Sequence, residues 1–124
     1  MMTTISKRLA RMVFAIPIAA PLAALAAMPV LAGPLQGVNG HVASGSAEIG
    51  SGEVTLGPDF RFDGGPDVYV ALRGGGRILL LGRLRANAGA QAYALPSGED
   101  GAGAEEILLY CKQYNVVLGK APAN

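Results

Sequence analysis

Apolar and polar residues alternate in short runs along most of the chain. These runs are rich in Val, Ile, Leu, Tyr and Phe, they are separated by Gly and Pro, and no stretch carries a long 3.6-residue period. A period of two with closely spaced turn residues is typical of antiparallel β-structure. The pattern predicts an all-β fold, a small antiparallel β-sandwich or barrel-like domain. The predicted strands cover residues 41–49, 53–56, 60–62, 66–73, 77–84, 91–95, 107–111 and 114–119.

Two of these runs define local structure most clearly. In 60–62, Phe60 and Phe62 share one face while Arg61 faces the other way, which predicts a short half-buried strand. The glycines at 74–76 separate two apolar runs and predict a β-hairpin. They lack the following Lys and Ser or Thr of a phosphate-binding loop, so we interpret them as a turn.

The first 32 residues have the layout of a secretory signal peptide. Lys7, Arg8 and Arg11 precede an uncharged run over 12–32 that closes on small residues, and we expect cleavage after Ala32. An uncleaved membrane anchor is the alternative, but prolines interrupt the run and disfavour a straight helix. The prediction is an exported protein, periplasmic or extracellular, with one domain over 33–124 and no stable membrane association after cleavage.

Removal of the signal peptide changes the charge of the chain. The mature part keeps seven of the ten Lys and Arg residues, against nine Asp and Glu. This slight acidity gives no reason to expect a nucleic acid as a partner. The single His and the absence of Trp exclude a multi-histidine metal site and a Trp-stacked ligand site within one chain.

Cys111 is the only cysteine, so no intramolecular disulfide can form. An unpaired cysteine in an exported protein is expected to be buried and inert, bonded to another chain, or present for its chemistry. The period of two puts Cys111 on the face of Ile107 and Leu109, with Lys112 on the other face. We therefore expect the thiol to point inward at a strand end, where burial as a small hydrophobe is common.

Other candidate sites are weaker. His41 has the chemistry of a metal or haem ligand, although a lone His at the start of a strand is more often a surface or hydrogen-bonding residue. Asp59, Asp63 and Asp67 suggest calcium, because carboxylates are hard oxygen ligands. Their spacing does not match an EF-hand, and turn-forming Asp beside Gly and Pro explains them more simply. No GxSxG elbow occurs, and we do not expect a stand-alone enzyme.

Four segments of the chain together resemble the DM-thirteen domain, a family proposed to serve electron transfer in extracellular proteins. The resemblance covers nearly the whole mature chain, and the order of the segments is preserved. Its most specific parts are FRFDGGPDVYV, the Gln, Tyr and Pro of QAYALP, and the aromatic–Cys–Lys–Gln run. The four segments are HVASGSAEI at 41–49, FRFDGGPDVYVAL at 60–72, LGRLRANAGAQAYALP at 81–96 and ILLYCKQYNVVLGKA at 107–121.

The resemblance implies that Cys111 is a redox-active thiol and that the chain is an electron-transfer or redox accessory. A Trp commonly precedes this Cys in the family, and Tyr110 takes its place here. We expect Tyr110 and the nearby Tyr114 to shape access to the thiol. An exported redox partner protein would be needed, because the chain contains no further redox domain. Haem or copper ligation is one way for the thiol to act, besides reversible oxidation or a mixed disulfide.

Two other functions stay open from the residues alone. The first is an extracytoplasmic β-sandwich binding module in which Cys111 is an inert core residue. The second is a structural domain in which Cys111 forms an interchain disulfide and a homodimer. The first predicts a buried thiol, and the second predicts a thiol that another chain can reach.

Overall fold

The alternation of apolar and polar residues is realised as β-strands along the chain. In the computed structural model, which describes residues 31–50 and 52–123, every regular element is a strand. The strands are β1 (Leu31–Pro34), β2 (Gln36–Gly37), β3 (Ala43–Ser44), β4 (Ser46–Gly50), β5 (Glu53–Leu56), β6 (Arg61–Phe62), β7 (Val68–Gly74), β8 (Arg77–Arg83), β9 (Gln91–Ala94), β10 (Glu106–Cys111) and β11 (Val116–Pro122). None of the described residues belongs to a helix that could cross a bilayer.

These strands form two main sheets, and every pairing is antiparallel. The four-stranded sheet has the order β9-β5-β4-β1, and the five-stranded sheet has the order β2-β11-β10-β7-β8. A separate two-stranded pair joins β3 to β6. The prediction of a small all-β antiparallel sandwich is confirmed.

One continuous apolar core fills the space between the sheets. Both sheets direct alternate side chains into it, as expected for strands with one buried face. Cys111 belongs to this core together with Ile107 and Leu109. The four-stranded sheet supplies Ala47, Ile49, Val54, Leu56 and Tyr93, and the five-stranded sheet supplies Val68, Val70, Leu72, Ile107, Leu109, Cys111, Leu118 and Ala121.

The predicted hairpin forms between β7 and β8. Gly74 pairs with Arg77, so only Gly75 and Gly76 form the turn. Both turn residues have positive φ, 59° and 76°, a conformation that glycine adopts without steric penalty and that suits a two-residue hairpin. The glycine run therefore has a structural role here.

The single strand predicted over 41–49 is wrong in its extent. His41 and Val42 lie outside any strand, and Gly45 divides the remainder into β3 and β4. Gly45 has a φ of 103°, and a Cβ there would lie only 2.7 Å from the Asp59 carbonyl oxygen. A close backbone approach, not a lack of side-chain volume, breaks the strand at this glycine.

The two ends of the domain also differ from the prediction. The last strand begins at Val116, because residues 112–115 form the turn, and it runs on to Pro122. Strands β1 and β2 were not expected. The predicted signal peptide lies outside the described residues except for positions 31 and 32, and the expected cleavage point after Ala32 falls within β1.

Candidate functional site

Cys111 lies at the last position of β10, in the middle of the five-stranded sheet. Its backbone pairs with Val116 of β11 on one side and with Val68 of β7 on the other. Its side chain is 1% exposed and points into the core, as the alternation predicts. Lys112 is exposed and lies on the outer face, with its Nζ 5.8 Å from the centre of the Tyr69 ring. The thiol is therefore inward and separated from this cation.

The sulfur has a specific polar contact. The Cys111 thiol donates a hydrogen bond to the Pro66 carbonyl oxygen, with Sγ and O 3.2 Å apart. A carbonyl oxygen accepts a hydrogen bond from a thiol and repels a thiolate, because both the oxygen and the thiolate are electron-rich. Since the thiolate is the reactive form of cysteine, reaction at Sγ requires its separation from Pro66.

Residues 63–67, which we call the covering loop, contain the Pro66 carbonyl that accepts from the thiol, and they are fixed at both ends. At one end the Asp63 amide donates to the Val42 carbonyl at 3.0 Å, and at the other the Lys112 amide donates to the Asp67 carbonyl at 3.0 Å. Asp67 also forms an ion pair with Arg83 at 2.8 Å. The centre of the loop, in contrast, contains two glycines and a proline.

His41 packs against the outer side of the covering loop. Its Nδ1 lies 3.0 Å from Asp63 Oδ1, and its ring stacks on Phe62 with the centroids 5.9 Å apart. Partial desolvation of the Asp63 carboxyl opposes ionisation, but hydrogen bonds from His41 and the Val42 backbone outweigh it and lower the pKa of Asp63. His41 and Cys111 thus bind the same loop through different residues, Asp63 and Pro66.

The three acids considered for calcium have separate partners. Asp59 accepts hydrogen bonds from the Ser46 amide and hydroxyl at 3.1 and 2.9 Å, and these lower its pKa. Asp63 binds His41, and Asp67 binds Arg83. Among the described residues, no group of three His, Cys, Asp or Glu side chains could hold a metal ion. Within residues 31–50 and 52–123, neither Cys111 nor His41 belongs to such a group.

The two tyrosines expected to shape access to the thiol lie away from it. Tyr110 is on the opposite face of β10, where it pairs with Tyr69 across the strands and its hydroxyl donates to Asn115 Oδ1 at 3.2 Å. Tyr114 is 64% exposed in the turn after β10. Shielding of the sulfur comes from the core and from Pro66 instead.

All four segments of the resemblance meet at the covering loop. The loop itself belongs to the second segment, His41 comes from the first and Cys111 from the fourth. The third segment contributes Arg83 to the ion pair with Asp67, and its Asn87 carbonyl accepts from the Phe62 amide at 2.9 Å. Residues far apart in sequence thus contact the covering loop or the Phe62 that precedes it.

Sequence reasoning missed the part that Arg83, Asp63 and Asp67 play in this arrangement. The acids were considered only as possible calcium ligands, and Arg83 only as part of a segment that resembles the DM-thirteen domain. These residues pair only because of which strands lie side by side, and the spacing of residues along the sequence does not predict that. Comparison of the chain with family models, with curated proteins and with solved structures gave no match.

Proposed function

We propose that this chain is an exported redox accessory domain of the DM-thirteen type, in which Cys111 exchanges with a disulfide of a partner protein. The observation that carries the proposal is the convergence of four separate sequence segments on the loop that covers Cys111. Pro66 of this loop accepts from the Cys111 thiol, and contacts from the other segments hold the loop at Asp63 and Asp67.

The reaction is a thiol–disulfide exchange. Cys111 loses its proton to solvent once Sγ has left the Pro66 carbonyl, and the thiolate attacks one sulfur of the partner's disulfide. A new S–S bond forms between the two proteins, and the second partner sulfur leaves as a thiolate. A thiol of a second molecule that attacks the Cys111 sulfur releases the first partner with both of its sulfurs reduced, so two electrons pass to that partner and Cys111 remains in a disulfide with the second molecule.

The closed position of the thiol has a consequence for selectivity. Because only 1% of the Cys111 side chain is exposed, oxidants in the surrounding medium do not reach the thiol while the protein is closed. Access then depends on displacement of the short Gly64–Gly65–Pro66 segment. The two ends of the covering loop stay in place, because Asp63 and Asp67 are bound to other strands and loops.

Trapping of the mixed disulfide tests this function. The folded full chain is incubated with oxidised glutathione and analysed by intact mass, with Cys111→Ser as the matched control. We expect one glutathione to be added to the native chain and none to the variant. Modification that occurs only after denaturation would contradict the proposal.

A second candidate function is favoured by one observation. The thiol is buried and its single donor is satisfied by the Pro66 carbonyl, which is also what an inert core cysteine requires. In this case the chain is a β-sandwich binding module, and Cys111 contributes packing alone. An unmodified native chain in the glutathione experiment supports this function over the redox one.

A further inference from the structure

Strand β8 forms one edge of the five-stranded sheet, and its outer side has no partner strand among the described residues. Its sequence RILLLGR is mostly apolar, with Ile78 38% exposed and the three following leucines partly exposed. A long apolar edge strand is a template for pairing with another chain, which proteins usually block or use.

The register of the hairpin identifies which backbone groups are free. Residues that flank a two-residue turn form a hydrogen-bonded pair, and such pairs alternate with non-hydrogen-bonded ones along an antiparallel ladder. Gly74 and Arg77 flank the turn, so Ile78 and Leu80 occupy non-hydrogen-bonded positions opposite Arg73 and Ala71. The amide and carbonyl groups of Ile78 and Leu80 therefore point outward, away from β7.

The open part of this edge is limited to the half nearest the turn. Beyond Leu80 the register shifts at a β-bulge, and Tyr93 of β9 packs against Gly82, where a Cβ would lie 3.2 Å from the Tyr93 ring. The bulge and the tyrosine close the far half of β8. Room remains for a short added strand alongside 77–80.

A pocket of about 180 Å³ adjoins this open half on the inner face of the sheet. It lies between the β7–β8 hairpin, represented by Leu72 and Leu79, and the loop that contains Glu99 and Ala104. The residue of an added strand that lies beside Leu79 would project to the same face and reach this pocket. Since about 150 Å³ accommodates a benzene molecule, one branched aliphatic side chain fits.

The charges at this edge indicate what kind of strand it would take. Arg77 lines the pocket together with Glu99, is exposed and forms no ion pair with a described residue, whereas Arg83 at the other end is held by Asp67. A second copy of β8 would bring two further arginines to this seam and no acid. A strand with an acidic residue next to Arg77 is favoured instead.

We propose that the 77–80 half of β8 binds an extended segment of a partner protein, which adds to the five-stranded sheet. The segment places one branched aliphatic side chain in the pocket beside Leu79 and an acidic side chain against Arg77. Its backbone pairs with the free groups of Ile78 and Leu80. This site lies at the opposite end of β7 from Cys111 and is independent of the redox proposal.

Nuclear magnetic resonance titration of the full chain tests the site. The probe is a heptapeptide of alternating valine and threonine with a glutamate at each end. We expect the amide signals of Ile78 and Leu80 to shift and their hydrogen exchange to slow. The same peptide N-methylated on the edge that faces β8 should bind about tenfold more weakly or not at all, because it loses two hydrogen bonds.

Two variants extend the test. Leu80→Pro removes an outward amide without breaking a bond to β7, and should abolish binding, whereas Leu80→Val should bind normally. Arg77→Glu should reverse the preference, so that a peptide with lysine ends binds better than one with glutamate ends.

Several results would overturn the proposal. These are the absence of binding at millimolar peptide, equal binding of the N-methylated peptide, and shifts confined to other strands. Sedimentation of the chain as a dimer, with Ile78 and Leu80 protected before any peptide is added, would identify a second copy as the occupant and would also overturn it. The N-methylated peptide removes the bonds donated to the Ile78 and Leu80 carbonyls, and it does so on the natural chain, so the conclusion does not depend on the folding of the Leu80→Pro variant.

Discussion

Strand β7 begins beside Cys111 and ends at the Gly75–Gly76 turn. The polar groups around its two ends differ in whether they have hydrogen-bond or ion-pair partners. At the Val68 end, the thiol, the two acids of the covering loop and the Asp63 amide have partners. At the Gly74 end, the outer side of β8 pairs with no other described strand, and a pocket lies beside it. The comparison teaches that one sheet can hold a buried thiol at one end of a strand and an open strand edge at the other, about one strand length apart.

Because one end of β7 is buried and the other is open, replacing an apolar side chain with Ala should lower the free energy of unfolding by different amounts at the two ends. Leu118 is 4% exposed and packs under Gly65 of the covering loop, so Leu118→Ala should lower the free energy of unfolding by about 2–5 kcal/mol. Ile78→Ala, at the open edge, should cost about 1 kcal/mol or less. Urea unfolding of both variants measures the two values. Equal losses would mean that the hairpin end is as closely packed as the thiol end.

Removal of the thiol should have an intermediate effect. Cys111→Ala deletes a buried sulfur and its hydrogen bond to Pro66, and we expect a loss of about 1–3 kcal/mol in the free energy of unfolding. Tyr114→Ala, in the exposed turn after the same strand, is the control and should change stability by about 0.5 kcal/mol or less. An unchanged stability for Cys111→Ala would show that the closed end does not depend on the thiol.

The hairpin end has its own titratable pair, between Arg73 and Glu106. A hydrogen bond from Arg73 is the main cause of the lowered pKa of Glu106; desolvation opposes it, and the charges of Arg73 and Lys120 add to it. Because the folded-state pKa lies below the ordinary value of 4.5, this stabilisation is present above that pH and is lost as the pH falls through the folded pKa.

The variant Glu106→Gln isolates this contribution. It should be less stable than the natural chain by about 1 kcal/mol at pH 7, and the difference should shrink as the pH falls below about 4. Unfolding curves of both proteins across this range provide the test, since the other carboxyls are common to both. If the difference in stability between the two proteins did not change with pH, the ion pair could not be its cause.

The smallest expected effect concerns the covering loop. Asp63→Asn weakens the contact with His41, which is partly exposed, and should speed labelling of Cys111 by about two- to fivefold with little change in global stability. Glu106→Gln weakens a pair at the other end of the sheet and should leave the labelling rate unchanged once its global stability is taken into account. Acceleration in both variants alike would argue against local control by the loop.

The sequence allowed good prediction where the cause was local. The period of two placed Cys111 inward, and the glycine run located the hairpin, because both follow from the backbone geometry of a few adjacent residues. The break at Gly45 was missed because it arises from the close approach of the Asp59–Phe60 backbone, which is distant in sequence from the strand it interrupts.

The site was less predictable than the fold. Cys111 was identified, yet its Pro66 partner and the pairs His41–Asp63 and Arg83–Asp67 connect segments that only the strand order brings together. Tyr110 was expected to influence the thiol from its neighbouring position in the chain. Adjacent residues on a strand face opposite sides, and this separates Tyr110 from the sulfur.

The central claim is that the covering loop opens locally and exposes Cys111 while the sandwich stays folded. The most direct test is the labelling rate of the native full chain with a small aromatic disulfide, measured as a function of urea below the unfolding transition. Local opening exposes little surface, so the account predicts a rate that is nearly independent of urea at low concentrations. A rate that rises from the lowest urea concentration with the full slope of global unfolding would contradict it, and would leave Cys111 as a core residue alone.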